Sequence, residues 1–213
     1  MPYRFAIVAL LVSAVLPAHA SVPSSSAPAP APAPALDPPS LELVEASIQA
    51  CHQTAANPTA VIAWAQAHHA VALTAPATIG FYANGPGGRA WSLATAHNQL
   101  ILAHRASSEV CAVYAAHANP EELRTFFTVL MHQLQARGGK VSLGLVTDTP
   151  SPYGRHKLLS FETDTPTAAS VTVVLTYAQP GGPYRAAIWL RVMPLGVASY
   201  LKPYFHELPK SRP

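Results

Sequence analysis

Proline sets the first limit on what this chain can fold into, because it removes a backbone donor, fixes φ, and is kept out of helix interiors and central strands. The 213 residues hold 22 prolines against 11 glycines, and residues 21–40 (SVPSSSAPAPAPAPALDPPS) alternate alanine with proline. Such a stretch has little to bury and few donors to pair, which predicts a polyproline II spacer that folding can do without. At about 3.1 Å per residue it reaches on the order of 60 Å. The rest of the chain is different. Half of all residues are hydrophobic and 11% are charged, so a packed core is expected beyond the spacer.

Residues 1–20 carry the pattern of an export signal: Arg4, an apolar run from Phe5 to Leu16, and Ala18-His19-Ala20 as a small-x-small cleavage site before Ser21. A membrane anchor is the competing reading, but a run of about twelve residues falls short of the roughly 20 needed to span a bilayer. The expectation is a soluble exported protein, periplasmic in a bacterium, and not membrane-spanning after cleavage. Formal charge is +3, with 13 basic and 10 acidic residues scattered along the chain. That balance gives no nucleic-acid footprint.

Cys51 and Cys111 are the two cysteines. In an exported chain an even count points to one structural disulfide. Two buried free thiols, or a metal pair completed by histidines, are the alternatives. No C-x-x-C spacing is present, which disfavours thioredoxin-like redox catalysis.

Leu43, Val44, Ser47, Ile48 and Cys51 recur at helical spacing and predict a first helix over about 40–54. Asn57-Pro58 reads as an N-cap and first-turn proline opening a second helix, with Val61, Trp64, Ala65 and His68 on one face. Gly80 and Asn84–Gly88 read as loop, and 89–95, 99–104 and 109–115 as short strands. Asn119-Pro120-Glu121-Glu122 predicts a capped helix with Glu122 in a capping-box position. Leu123, Phe126, Phe127, Leu130, Met131 and Leu134 form its core stripe, and Gly138-Gly139 ends it. Strands follow at 157–163, 171–177 and 184–193, the last two joined through Gln179–Gly182. The predicted fold is α+β: an antiparallel sheet of about six strands covered on one face by two N-terminal helices and one central helix. The domain occupies 41–193, and 194–213, with Tyr200 and Tyr204, forms an aromatic, proline-rich arm.

The motifs Ala-x-x-x-Cys-His-Gln around Cys51, Asn57–Ala65, Gly88–Trp91, Leu100–Ala103 and Cys111–Tyr114 together resemble a family of small exported bacterial proteins with two cysteines. The resemblance covers roughly 41–137. It implies a bacterial source, a periplasmic address and a paired Cys51 and Cys111, and it brings no biochemical activity with it.

All histidines but His19 lie beyond the cleavage site: His52, His68, His69, His97, His104, His117, His132, His156 and His206. None stands in an HExxH or HxH spacing, so no metal site is nominated. Neither a G-x-S-x-G elbow nor a phosphate loop ending in Gly-Lys-Ser/Thr occurs, and the sparse carboxylates offer no acid–base pair. No catalytic residue and no cofactor is expected.

What remains is a surface. Alternation over 184–193 sends Ile188, Leu190 and Val192 towards the helices and Arg185, Trp189 and Arg191 to the other face. Tryptophan and arginine are the residues most enriched at binding hot spots, and Tyr200 and Tyr204 follow closely. The expectation is therefore a non-catalytic accessory or interaction protein. One form of it is a small cofactor-free subunit of an envelope complex such as a membrane-associated dehydrogenase, with another envelope protein as partner. A periplasmic inhibitor or immunity protein is one alternative, and a small-ligand carrier or enzyme with an unrecognised site is another.

Overall fold

The computed structural model describes residues 34–83, 87–105, 110–151, 154–164, 168–177 and 184–194. The export signal, most of the Ala-Pro stretch, the 178–183 connection and the arm with Tyr200 and Tyr204 lie outside the described residues.

Folding begins before the expected boundary. Asp37 caps α1 (Pro38–Ser47) by accepting the Ser40 N–H at 2.9 Å, and Pro38 occupies the first turn. Ser40 is fully buried and Leu36 packs on the core, so the end of the spacer stretch packs as part of the domain. After Ser47 the helix widens over Ile48–His52, where the Gln53 N–H bonds to the Ile48 carbonyl five residues back. Ala55 and Ala56 then turn through left-handed φ values of 51° and 54°. The buried His104 ring donates from Nε2 to the Ala56 carbonyl at 3.1 Å and fixes that turn. α2 (Pro58–Ala67) starts at the Asn57 cap, buries Val61 and Ala65, and stacks Trp64 on His68 at 4.0 Å.

The elements β1 (Val71–Ala72), α3 (Pro76–Ala83), β2 (Arg89–Ala94), β3 (Gln99–Arg105) and β4 (Val110–Ala115) come next. α4 (Pro120–Ala136) then leads to β5 (Lys140–Ser151), β6 (Gly154–Asp164), β7 (Ala168–Tyr177) and β8 (Ala186–Pro194). All strand pairs are antiparallel, in the order β1-β2-β3-β4-β8-β7-β6-β5. Two meanders therefore meet at the β4–β8 seam, and α4 carries the chain from the seam to the far edge. No helix among the described residues is long and apolar enough to cross a membrane.

The α+β class and the antiparallel pairing agree with the sequence pattern, while the counts and the layering do not. Among the described residues eight strands replace the expected six, because β1 and β5 carry no strand signal. β5 contains Gly144, Asp148 and Pro150 and shifts register between Leu143 and Val146, features that an edge strand accommodates. α3 was expected as loop, since Gly80 interrupts its helical pattern. Helices also cover both faces. α1, α2 and α4 bury Leu43, Val61, Leu123 and Phe127 against Leu100, Leu102, Val113, Ile188 and Leu190. α3 packs Tyr82 and Ala83 on the opposite face, among Ala90, Ala103, Ala112 and Ala187. That row of alanines lets the helix approach the sheet closely. The Cys51–Cys111 disulfide, with Cα atoms 5.4 Å apart, ties the widened helical turn to β4, and both cysteines are buried.

Candidate functional site

Alternation along β8 puts Ile188 and Leu190 in the core with α1 and α4, and Trp189 among the residues packed with α3. Trp189 sits between Ala112 of β4 and Val173 of β7. Arg191 lies beside Val110, whose other neighbour is Arg105 of β3. Arg105 and Arg191 thus flank Val110 on the α3 face, two strand spacings or about 10 Å apart. The Arg105 guanidinium carbon stands 5.4 Å from the centre of the Trp189 ring, within cation–π range.

Trp189 is half-buried rather than exposed. It borders an aromatic cluster in which Tyr114 lies 4.9 Å from Tyr82, 4.8 Å from Tyr184 and 6.3 Å from Trp189. The Tyr114 hydroxyl donates to the Tyr82 carbonyl at 3.0 Å, and burial pushes the Tyr82 phenol above its ordinary pKa. Arg185 does not continue the alternation. It precedes β8 at a bend where its N–H bonds to the Ala115 carbonyl and Tyr184 turns into the aromatic cluster. Among the described residues, neither the Trp189 indole Nε1 nor Arg185 Nη1, both buried atoms, has a hydrogen-bond partner.

Of the residues nominated from sequence, Trp189 and Arg191 share a face, Arg185 stands at the strand entrance, and Tyr200 and Tyr204 lie outside the described residues. Arg105 was missed. Its position at the end of β3 reads as loop, and only the β4–β8 pairing brings it to Trp189.

A second feature is a groove of about 600 Å³ between α4 and the β5–β6 hairpin. Met131, Val146 and Leu159 line it, with Arg124, Asp148 and Lys157 among its polar residues. The charges there are largely spent on one another: Arg124 pairs with Glu121 and Arg155 with Asp148. Lys157 lies directly across the ladder from Asp148 and helps hold the Glu121 carboxyl below its ordinary pKa, after the larger effect of the Arg124 hydrogen bond.

The histidines are dispersed. His97 faces Glu42 at 2.9 Å, His104 holds Ala56, and no three His, Cys, Asp or Glu side chains gather around a common point among the described residues. The chain matches no protein-family profile, no curated protein and no solved structure.

Proposed function

We propose that this chain is a non-catalytic accessory protein of the bacterial envelope that acts by binding another protein through the Trp189 face. The observation that carries the reading is the Arg105–Trp189 stack on the sheet face opposite α1 and α4. A large indole body and delocalised cations are held together there on neighbouring strands of one sheet, a composition typical of interface hot spots. The export pattern of residues 1–20, the resemblance to small exported two-cysteine proteins and the buried Cys51–Cys111 bridge support the periplasmic address.

The test is recovery of the tagged chain from envelope fractions of its own source under mild conditions, beside Trp189→Ala. One stoichiometric partner is expected with the native chain and none with the variant. Because Trp189 is half-buried, the variant should lose about 1–2 kcal/mol of stability and still fold. Absence of a retained partner, or equal retention by the variant, overturns the proposal.

A further inference from the structure

We infer that the partner meets this face with an acidic segment, its carboxylates seated between Arg105 and Arg191 over the Trp189 ring. The inference rests on the binding role proposed above and adds the chemistry of what binds. Arg105 and Arg191 lie in one cross-strand row, on either side of Val110. Among the described residues neither takes part in an ion pair: the pairs present are His97–Glu42, Arg124–Glu121 and Arg155–Asp148. Glu162, the acidic residue on the same cross-strand row, stands beyond Val171, two strand spacings from Arg191.

Guanidinium stays charged at any physiological pH. A partner that covers Trp189 must also desolvate the Arg105 stacked on it and the neighbouring Arg191. An apolar partner would strand both charges, whereas carboxylates accept from each fork in a bidentate pair. The indole Nε1, a buried atom with no hydrogen-bond partner among the described residues, points away from the partner, so the contact is with the ring and the two guanidinium groups. Phosphate polyanions fit less well. They are read by dense basic stripes, and here two cations about 10 Å apart border an aromatic patch in a chain of formal charge +3.

The test needs no knowledge of the natural partner. In the folded, oxidised chain the indole N–H resonances of Trp64, Trp91 and Trp189 are followed by NMR, with Trp189→Phe assigning the third. A synthetic glutamate-rich peptide containing one tyrosine is titrated in at low salt, and inorganic polyphosphate is titrated separately. The expected result is a saturable shift confined to the Trp189 resonance, weakened about tenfold by Arg105→Gln and by Arg191→Gln, and weakened by added salt. An unmoved Trp91 resonance verifies that each variant is folded. No saturable shift, equal binding by the double variant, or polyphosphate binding at the same residues as tightly as the peptide overturns the inference. A native partner whose binding survives both arginine substitutions overturns the acidic chemistry and leaves the binding role standing. Peptide binding at Trp189 without any native partner leaves the chemistry standing and removes the role.

Discussion

Glu42 shows how much one side chain can organise when it reaches across sequence. From α1 it accepts the Thr95 hydroxyl, the His97 backbone N–H and the His97 ring Nδ1, joining the first helix to the β2–β3 turn. Partial burial pushes its carboxyl pKa up, but the hydrogen bonds from Thr95 and His97, with the nearby His97 charge, together hold it below the ordinary value. The native state therefore favours the ionised form. This contribution is complete above the unfolded carboxyl pKa of about 4.3 and is lost as pH falls through the lower native value. Glu42→Gln should cost about 1 kcal/mol at pH 7 and flatten the loss of stability below about pH 5. Urea unfolding of both proteins from pH 7 to pH 3 checks this; parallel curves would show that the Glu42 contacts do not discriminate between protonation states.

Elements here are tied at their ends by one polar cluster. The Asn98 side chain donates to the Pro39 carbonyl at 3.0 Å and the His117 carbonyl at 2.6 Å, and accepts the His117 N–H at 3.0 Å. It thereby connects the start of α1, the β2–β3 turn and the approach to α4. Beside it, the Asn119 N–H donates to Ser40 Oγ, and Glu122 accepts the Asp37 N–H at 2.9 Å. Glu122 reaches back to the cap residue as read from sequence, but it accepts the Asn119 side-chain amide at 2.8 Å while the Asn119 backbone N–H goes to Ser40, and its other oxygen serves the neighbouring helix; Asn119 caps α4 as expected. Asn98→Ala orphans three backbone groups in a buried setting, and a loss of about 2–3 kcal/mol is expected in a denaturant titration; a change below about 0.5 kcal/mol would mean that water replaces the side chain. The cluster also marks where sequence reading stops. Local signals such as Asn57-Pro58, Asn119-Pro120 and the alternation of β8 were legible because caps and periodicity act within a few residues. The Asp37-Pro38 cap of α1 is an equally local signal, masked by the proline-rich stretch it ends, whereas the bonds of Asp37 to Glu122 and of Ser40 to Asn119 span 85 and 79 residues and leave no local trace. Arg105 was hidden for the same reason: it reaches Trp189 only because the final strand returns to pair with β4.

At the scale of the molecule, the fold is two antiparallel meanders joined at β4–β8, and the disulfide sits at that seam. Cys111 pairs in register with Leu190 of β8 and His104 of β3, while Cys51 brings in the turn that follows α1. The bridge therefore links the N-terminal helices to the strand on which both halves of the sheet depend. Closing a loop with a sequence separation of 60 contributes about 4 kcal/mol in the chain-entropy account. Both sulfurs are sealed in the core, so a reductant reaches them only through unfolding. The oxidised native chain should yield no titratable thiol in native buffer with a mild reductant, and two after reduction in denaturant. The double variant Cys51→Ala/Cys111→Ala should melt roughly 10–15 °C lower, from about 2–4 °C per kcal/mol for a domain of this size, while keeping the same far-ultraviolet dichroism below its transition. Two thiols titrating without reductant in denaturant would show that the bridge does not form, and an unchanged melting temperature would show that the seam holds without it.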